Sequence, residues 1–115
     1  MQSYYVEKEN KALAEQGLEF FLYQLTPERP YASAHLHPAI ELLYFTEGEA
    51  TVYTDGAERV LSVGDAVLFY SNQLHRLQLH SERAAYYVLK LTPAFILRFA
   101  KRLSCGISRV MGRPI

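Results

Sequence analysis

The sequence has little of what marks secreted or membrane-bound proteins. It contains a single cysteine, Cys105, which excludes an internal disulfide and suits a reducing compartment. No apolar run approaches the ~18 residues that a membrane-spanning helix needs. The polar N-terminus also lacks the apolar core of a signal peptide. We therefore expect a soluble, cytoplasmic protein.

The formal net charge is zero, but the charges are unevenly distributed. All 12 acidic side chains precede residue 83, whereas residues 83–115 carry basic side chains and no acidic ones. A basic tail can contact nucleic acid or another anionic partner. It can also be the exposed side of a helix, or pair with the acidic body of the chain. Because charge runs most often form solvated surfaces, we favour this second interpretation.

The composition predicts one folded domain rich in β-structure. The 115 residues, half of them hydrophobic, are enough for one core but not for two. Tyrosine and phenylalanine are frequent and tryptophan is absent, and such aromatic residues suit a pleated sheet. The pattern predicts about eight short strands, at 18–25, 31–37, 40–46, 50–54, 58–61, 66–70, 75–79 and 85–91. Turns are expected at 47–49 and at Asp55-Gly56, and a loop at 80–83. This is typical of an all-β barrel or sandwich such as a jelly roll.

Helical patterns precede and follow the predicted strands. Residues 11–16 can form a short helix or fray. Thr92 and Pro93 are a good N-cap and first helical residue, and apolar residues then follow at helical spacing: Phe95, Ile96, Phe99 and Leu103. This stripe can pack on the barrel or on the same helix of a second subunit, and we expect a homodimer of the second kind. The chain thus divides into a polar N-terminal segment (1–17), a β-barrel (18–92), and a C-terminal amphipathic helix with a basic tail (93–115).

Good metal ligands are concentrated at His35, His37 and Glu41, and His75 is a fourth candidate later in the chain. Alternate residues of an extended chain share a face, so these side chains can converge. Imidazoles and a carboxylate suit a divalent transition metal such as Zn, Ni, Mn or Fe, with open positions for water or a chelating ligand. The same residues can instead form a buried hydrogen-bonded cluster without a metal. Both interpretations stay open at this point.

Aromatic residues near this motif are candidates for contacts with a small ligand. Flat faces and hydroxyl groups suit a sugar-like molecule, although such tyrosines more often belong to the core or the outer sheet. The candidate effector contacts are Tyr44, Tyr53, Tyr70, Phe45 and Phe69, and Tyr86 and Tyr87 could line the same pocket. Residues that share the strand parity of the ligand residues are expected to form an apolar wall: Leu43, Phe45, Phe69, Leu77 and Leu79. His80 has the opposite parity to His75 and is expected at the surface.

The spacing of these residues resembles both sequence motifs of the cupin superfamily of small β-barrels. The first motif is complete from His35 to Gly48. The second motif departs from the family pattern, with Tyr70 where the family often has proline, Asn72 where it often has glycine, and Leu79 in place of the final asparagine. Because asparagine readily adopts left-handed geometry, the turn at Asn72 can persist. The resemblance implies that the metal-binding set is His35, His37, Glu41 and His75.

A closer resemblance is to the N-terminal sensing domain of AraC/XylS-type transcription regulators. It is carried by residues 41–48, the turns at 64–65 and 72–75, and the ending at 87–95. The resemblance implies a cupin barrel that binds a small effector, often a sugar, followed by a helix that supports dimerisation. In that family a C-terminal pair of helix-turn-helix units binds DNA. We expect contact with DNA only through such units, which this sequence does not contain.

Two other hypotheses belong to different functional classes. The chain could be a stand-alone metal-dependent cupin enzyme, such as an isomerase or a dioxygenase, or a small structural protein. The sequence has no phosphate-binding loop, no Cys-x-x-Cys pair and no nucleophile elbow. Cys105 lacks an assured base, and Ser71 lacks an orienting acid. We therefore assign no catalytic residue and expect a ligand-binding regulatory domain rather than an enzyme.

Overall fold

A computed structural model describes residues 4–98, 100 and 101 of the chain. Their strands form one seven-stranded sheet, which confirms the all-β prediction. The strands are β1 (Tyr5–Val6), β2 (Leu18–Leu25), β3 (Tyr31–Leu36), β4 (Ile40–Thr54), β5 (Ala57–Leu61), β6 (Ala66–Phe69) and β7 (His75–Leu91). Helix α1 (Lys11–Gln16) precedes β2, and residues 93–98, 100 and 101 are helical.

Helix α1 forms because both of its ends are capped. The Asn10 side chain accepts a hydrogen bond from the Leu13 amide, and Gly17 adopts the left-handed conformation that ends many helices. Leu13 is buried and fixes the helix on the domain. Of the two possibilities for residues 11–16, the structure therefore contains the helix.

The two longest strands were each expected to be two strands. β4 continues through the predicted turn at 47–49, and β7 continues through the predicted loop at 80–83, so both of these predictions were wrong. The strands pair with each other from Ile40↔Leu91 to Thr54↔His75, with register shifts on either side of Gly48. Irregular pairing of this kind bends a strand without ending it. The polar residues that suggest a turn here mark a bend instead.

Because β4 and β7 bend, the single sheet folds into two layers. One layer, which we call the first layer, contains β2, the C-terminal half of β7, the N-terminal half of β4, and β6. The second layer contains β1, β3 and β5 with the other halves of β7 and β4. The largest apolar side chains that are fully buried lie between the layers: Leu25, Leu43, Phe45, Phe69 and Leu77. The predicted apolar wall is confirmed, with Leu79 packed against it.

The C-terminal helical segment begins as the sequence predicted. The Thr92 hydroxyl accepts a hydrogen bond from the Phe95 amide at 3.2 Å, as an N-cap residue does. The Thr92 amide donates to the Gly17 carbonyl, which ties the segment to the end of α1. Leu103, Cys105 and the rest of the basic tail lie outside the described residues, as does the side chain of Phe99. Dimerisation through this helix stays a prediction.

Over the described part of the chain, no helix has both the length and the apolar character needed to cross a membrane.

The bend at Gly48 supplies a stability prediction. Gly48 has a φ of 67°, and a Cβ there would overlap the Arg83 carbonyl oxygen of the neighbouring strand. Gly48→Ala should therefore lower the free energy of unfolding by about 3 kcal/mol or more, measured by urea denaturation. Gly56→Ala is the matched control, because Gly56 has a φ of 75° and open space around its Cβ position. It should cost only about 1–2 kcal/mol. Equal losses in the two variants would contradict the close approach at the bend.

Candidate metal and effector site

The four predicted ligand residues come together at one end of the barrel interior. One potential ligand atom from each of His35, His37, Glu41 and His75 lies within 4.8 Å of the others, and all four residues are buried. His35 and His75 are directly opposite each other on paired strands. The first three residues do not share one strand, since β3 ends at Leu36 and β4 begins at Ile40. The link between the two strands is fixed by a 2.7 Å hydrogen bond from the Asn72 amide to the His37 carbonyl.

Each histidine ring is oriented by a backbone carbonyl two residues away. The Nδ1 atoms of His35, His37 and His75 lie 2.7, 2.9 and 2.8 Å from the carbonyl oxygens of Ser33, Ala39 and Gln73, respectively. A carbonyl oxygen only accepts, so each Nδ1 must carry the hydrogen. In a neutral ring the Nε2 lone pair is then free, and in all three residues it is directed into the cluster.

Acceptor atoms therefore face one another around the Glu41 carboxylate. Oε1 lies 3.1 Å from His37 Nε2, and Oε2 lies 3.3 Å from His75 Nε2. His75 Nε2 is buried and has no hydrogen-bond partner among the described residues. Lone pairs and a carboxylate this close repel unless a cation lies among them. A proton on an imidazole or a metal ion can meet this need, so the donor set fits a metal.

The pKa values follow from this arrangement. Burial would raise the pKa of Glu41, but the contacts with His37 and His75 outweigh it and hold the pKa well below its ordinary value. Burial would lower the pKa of His37, but the hydrogen bond to Glu41 raises it above the ordinary value. The pKa of His35 is lowered, chiefly by burial. Glu41 is therefore anionic, and the raised pKa of His37 favours protonation of its imidazole.

A buried lysine, which the sequence analysis missed, lies beside the cluster. Lys90 forms an ion pair with Glu7, and its Nζ lies 3.8 Å from Glu41 Oε1 and 3.9 Å from Glu19 Oε1. Glu7 Oε2 also lies 3.7 Å from His35 Nε2. Strand parity could have identified Lys90, because it shares the inward positions of Tyr86 and Val88 in an apolar strand. For Glu7, nothing in the polar N-terminal sequence showed that it would reach the site.

Carboxylates outnumber ammonium groups around Lys90. Three carboxylates (Glu7, Glu19 and Glu41) surround the single ammonium of Lys90, which leaves two negative charges uncompensated if the imidazoles are neutral. Glu7 and Glu19 are partly exposed, so water screens part of their charge. A divalent cation at the cluster would neutralise the remainder.

A cavity of about 490 Å³ opens beside the cluster. Its polar lining includes tyrosines and charged side chains contributed by both layers: Tyr23, Glu28, Arg29, Tyr31, Tyr86 and Lys90. His35 and Glu41 form part of the same wall, so the cavity reaches the ligand cluster. The burial of Tyr86 raises the pKa of its phenol, which therefore stays protonated and can donate a hydrogen bond.

None of the five aromatic residues predicted as effector contacts lines this cavity. Tyr44 and Tyr70 are exposed on the outside, because their strand positions alternate with the inward ones. Tyr53 packs its ring under Arg76, at 3.7 Å, beside a separate and smaller cavity. Phe45 and Phe69 are fully buried in the core, where Phe69 stacks on the ring of His75 at 4.1 Å. The prediction that this set lines the pocket is therefore corrected, and His80 is exposed as expected.

Solved structures show what this fold is similar to. A Cupin 2 conserved barrel domain protein from Salinispora arenicola is 25% identical, with a TM-score of 0.62 over 75% of this chain and 72% of that chain. An HTH_3 family transcriptional regulator from Vibrio cholerae is 28% identical, with a TM-score of 0.58 over 70% of this chain and 46% of that chain. The DMSP lyase DddQ from Ruegeria pomeroyi is 25% identical, with a TM-score of 0.58 over 67% of this chain and 39% of that chain.

A search of curated proteins found no match. The model of the AraC-like ligand binding domain family matches residues 18–107, which include every strand of the barrel except β1. The chain therefore belongs to the AraC-like ligand binding domain family.

Proposed function

We propose that this chain is a sensing domain of an AraC-type transcription regulator. It binds a small polar effector in the barrel cavity, beside a divalent metal held by His35, His37, Glu41 and His75. The observation that carries the proposal is the buried cluster in which one potential ligand atom from each of these four residues lies within 4.8 Å of the others. The family membership and the likeness to a transcriptional regulator from Vibrio cholerae support the regulatory role.

A metal meets the needs of the cluster better than a proton does. One proton on His37 would satisfy the contact with Glu41 Oε1, but the lone pair of His75 Nε2 would stay buried without a donor. A divalent ion can bind several imidazoles and the carboxylate together, and it also neutralises the negative charge around Lys90. The backbone hydrogen bonds at each Nδ1 are the outer contacts that orient histidine ligands.

The cavity favours an effector with several hydroxyl or other polar groups. Phenol groups and charged side chains lie on its walls, while Val88 and Leu77 supply apolar surface. Rings and hydroxyls of this kind bind sugar-like molecules by packing and hydrogen bonding. The cavity reaches Glu41 and His35, so one end of the effector can approach the metal while the other contacts the tyrosines.

A metal-dependent cupin enzyme, such as an isomerase or a dioxygenase, is the second candidate. It is favoured by the ligand set, since four protein ligands leave coordination positions open for a substrate. The likeness to the lyase DddQ shows that a related barrel belongs to an enzyme. The two candidates differ in outcome, because an enzyme converts the molecule that it binds and a sensor releases it unchanged.

Metal content tests the site directly. Purified, tag-free protein should contain about one equivalent of a transition metal by elemental analysis, and the double variant Glu41→Gln/His75→Ala should lose it. His80→Ala, which removes an exposed histidine outside the cluster, should keep the metal. Wild-type protein that stays metal-free after incubation with excess Zn, Ni, Mn and Fe(II) would overturn the metal part of the proposal.

Effector binding tests the sensing role. In a thermal-shift screen of sugars and small acids, a true effector should stabilise the protein by about 2.7 kcal/mol at 100 times its Kd. Tyr86→Phe should weaken binding about tenfold, because it removes one buried hydrogen bond. Tyr44→Phe, on the outer surface, should leave binding unchanged.

The effector should then be recovered unaltered after prolonged incubation with metal-loaded protein. Conversion that is lost in His37→Ala would support the enzyme instead of the sensor.

Lys90 and the metal should compete for the same carboxylates. Lys90→Met should lower the stability of the metal-free protein by about 1–3 kcal/mol, since it leaves Glu41 and Glu7 without their cation. The same change should tighten metal binding at least about tenfold, because it removes a positive charge from beside the ion. Urea denaturation and calorimetric metal titration measure the two effects.

The control for this variant is Lys11→Met. Lys11 is exposed and lies 4.0 Å from Glu15 on α1, so its replacement should change stability by less than about 0.5 kcal/mol and leave metal binding unchanged. Unchanged or weaker metal binding in Lys90→Met would show that the ammonium does not oppose the ion.

A further inference from the structure

A second cavity lies at the hairpin that joins β4 and β5. It has a volume of about 250 Å³, and its charged lining residues are Arg76, Asp55 and Glu58. Tyr53 also lines it, and the register aligns Arg76, Tyr53 and Glu58 directly across β7, β4 and β5. Residues opposite each other in a sheet share a face, so these three side chains project from the same side. We call this space the Arg76 cavity.

The guanidinium group of Arg76 is held in place without a partner of opposite charge. It stacks on the Tyr53 ring, with Cζ 3.7 Å from the ring centroid. Its Nε is closed off from solvent and has no hydrogen-bond partner. Within the described part of the chain, the guanidinium forms neither an ion pair nor a hydrogen bond. Because a donor that loses water without gaining an acceptor lowers stability, this position is better explained by binding than by folding.

Two carboxylates line the same cavity without neutralising Arg76. Asp55 Oδ2 accepts a hydrogen bond from Gln73 Nε2 at 2.7 Å, which orients this carboxylate. Glu58 is exposed and forms no ion pair with another described residue. Arg76 and Glu58 are two strand spacings apart, about 10 Å between their backbones, with Tyr53 between them. The cavity therefore presents separated charges of both signs.

We propose that the Arg76 cavity binds a small zwitterion, a molecule that carries both a carboxylate and an ammonium group. The planar guanidinium of Arg76 can bind the carboxylate through two parallel hydrogen bonds. Glu58 and Asp55 attract the ammonium group. Drug-sized ligands occupy pockets of roughly 300–1,000 Å³, so this smaller space suits a molecule on the scale of an amino acid.

Ligands with charge of only one sign fit the cavity less well. A phosphate ion would pair with Arg76 but would meet the carboxylates of Asp55 and Glu58. A metal cation would pair with the carboxylates but would meet the guanidinium. Like charges brought together in this way weaken binding. A ligand that carries both charges satisfies both groups.

The proposal rests on neither the metal nor the effector, since His75 is the one cluster residue that lines the Arg76 cavity. The test is an NMR titration of the ¹⁵N-labelled full chain with glycine, β-alanine and γ-aminobutyrate, whose two charges are increasingly far apart. At least one of them should shift the amide signals of residues 53–58 and 74–76, with a dissociation constant of about 10 mM or lower. Acetate and methylammonium each carry one of the two charges, and they should bind at least about tenfold more weakly.

Substitutions assign the two charged contacts. Arg76→Lys keeps the charge but loses the planar pair of donors, so it should weaken binding at least about tenfold. Glu58→Gln should weaken it about threefold or more, because an exposed charge contributes less. Arg59→Lys is the matched control: Arg59 is exposed, is paired with the buried Val52 on the opposite face, and does not line the cavity. It should leave binding unchanged.

The same spectra show whether each variant is folded. If Arg76→Lys fails to fold, Glu58→Gln on the edge strand β5 provides the comparison with Arg59→Lys. The proposal would be overturned if none of the three zwitterions shifted these signals, or if acetate bound as tightly as they do. Shifts confined to the lining of the larger cavity, at Tyr23, Tyr31 and Tyr86, or binding unaffected by both Arg76→Lys and Glu58→Gln, would also overturn it.

Discussion

The arrangement of the barrel interior depends on one buried carboxylate, Glu41, that lies among three buried histidines. The histidine rings are fixed by backbone carbonyls at Nδ1, and the Nε2 atoms of His37 and His75 lie 3.1 and 3.3 Å from the Glu41 carboxylate. Such a cluster needs a cation, because desolvated acceptors repel one another. Lys90 supplies part of that charge, from 3.8 Å away, and draws Glu7 and Glu19 to the same place. The proposed metal would supply the positive charge that these buried acceptor atoms lack.

The two bent strands make this cluster possible. β4 and β7 each belong to both layers, so residues far apart in the chain reach one end of the barrel. The C-terminal half of β7 brings Lys90, and its first residue, His75, reaches the same cluster from the second layer. Gly48 permits the bend, since its positive φ and its close approach to the Arg83 carbonyl leave no space for a side chain.

The strands of the first layer separate two kinds of surface by the thickness of one backbone. Glu41 and Lys90 face the cavity, whereas their neighbours Leu42 and Leu89 face outward. Residues of the proposed ligand site and outward-facing apolar residues therefore alternate along the same strands.

The sequence by itself determined the barrel, most strand positions and the four candidate ligands, because short-range alternation, turn residues and motif spacing are local properties. It also located the N-cap at Thr92. Only the tertiary structure decided that β4 and β7 run unbroken, since a bulge and a turn use similar residues. It alone showed that Tyr44 and Tyr70 face outward while Tyr23, Tyr31 and Tyr86 line the cavity. It also brought Glu7 to Lys90 across 83 positions of the chain. Such contacts depend on which strands pair, and the sequence of one segment does not show which distant segment it will pair with.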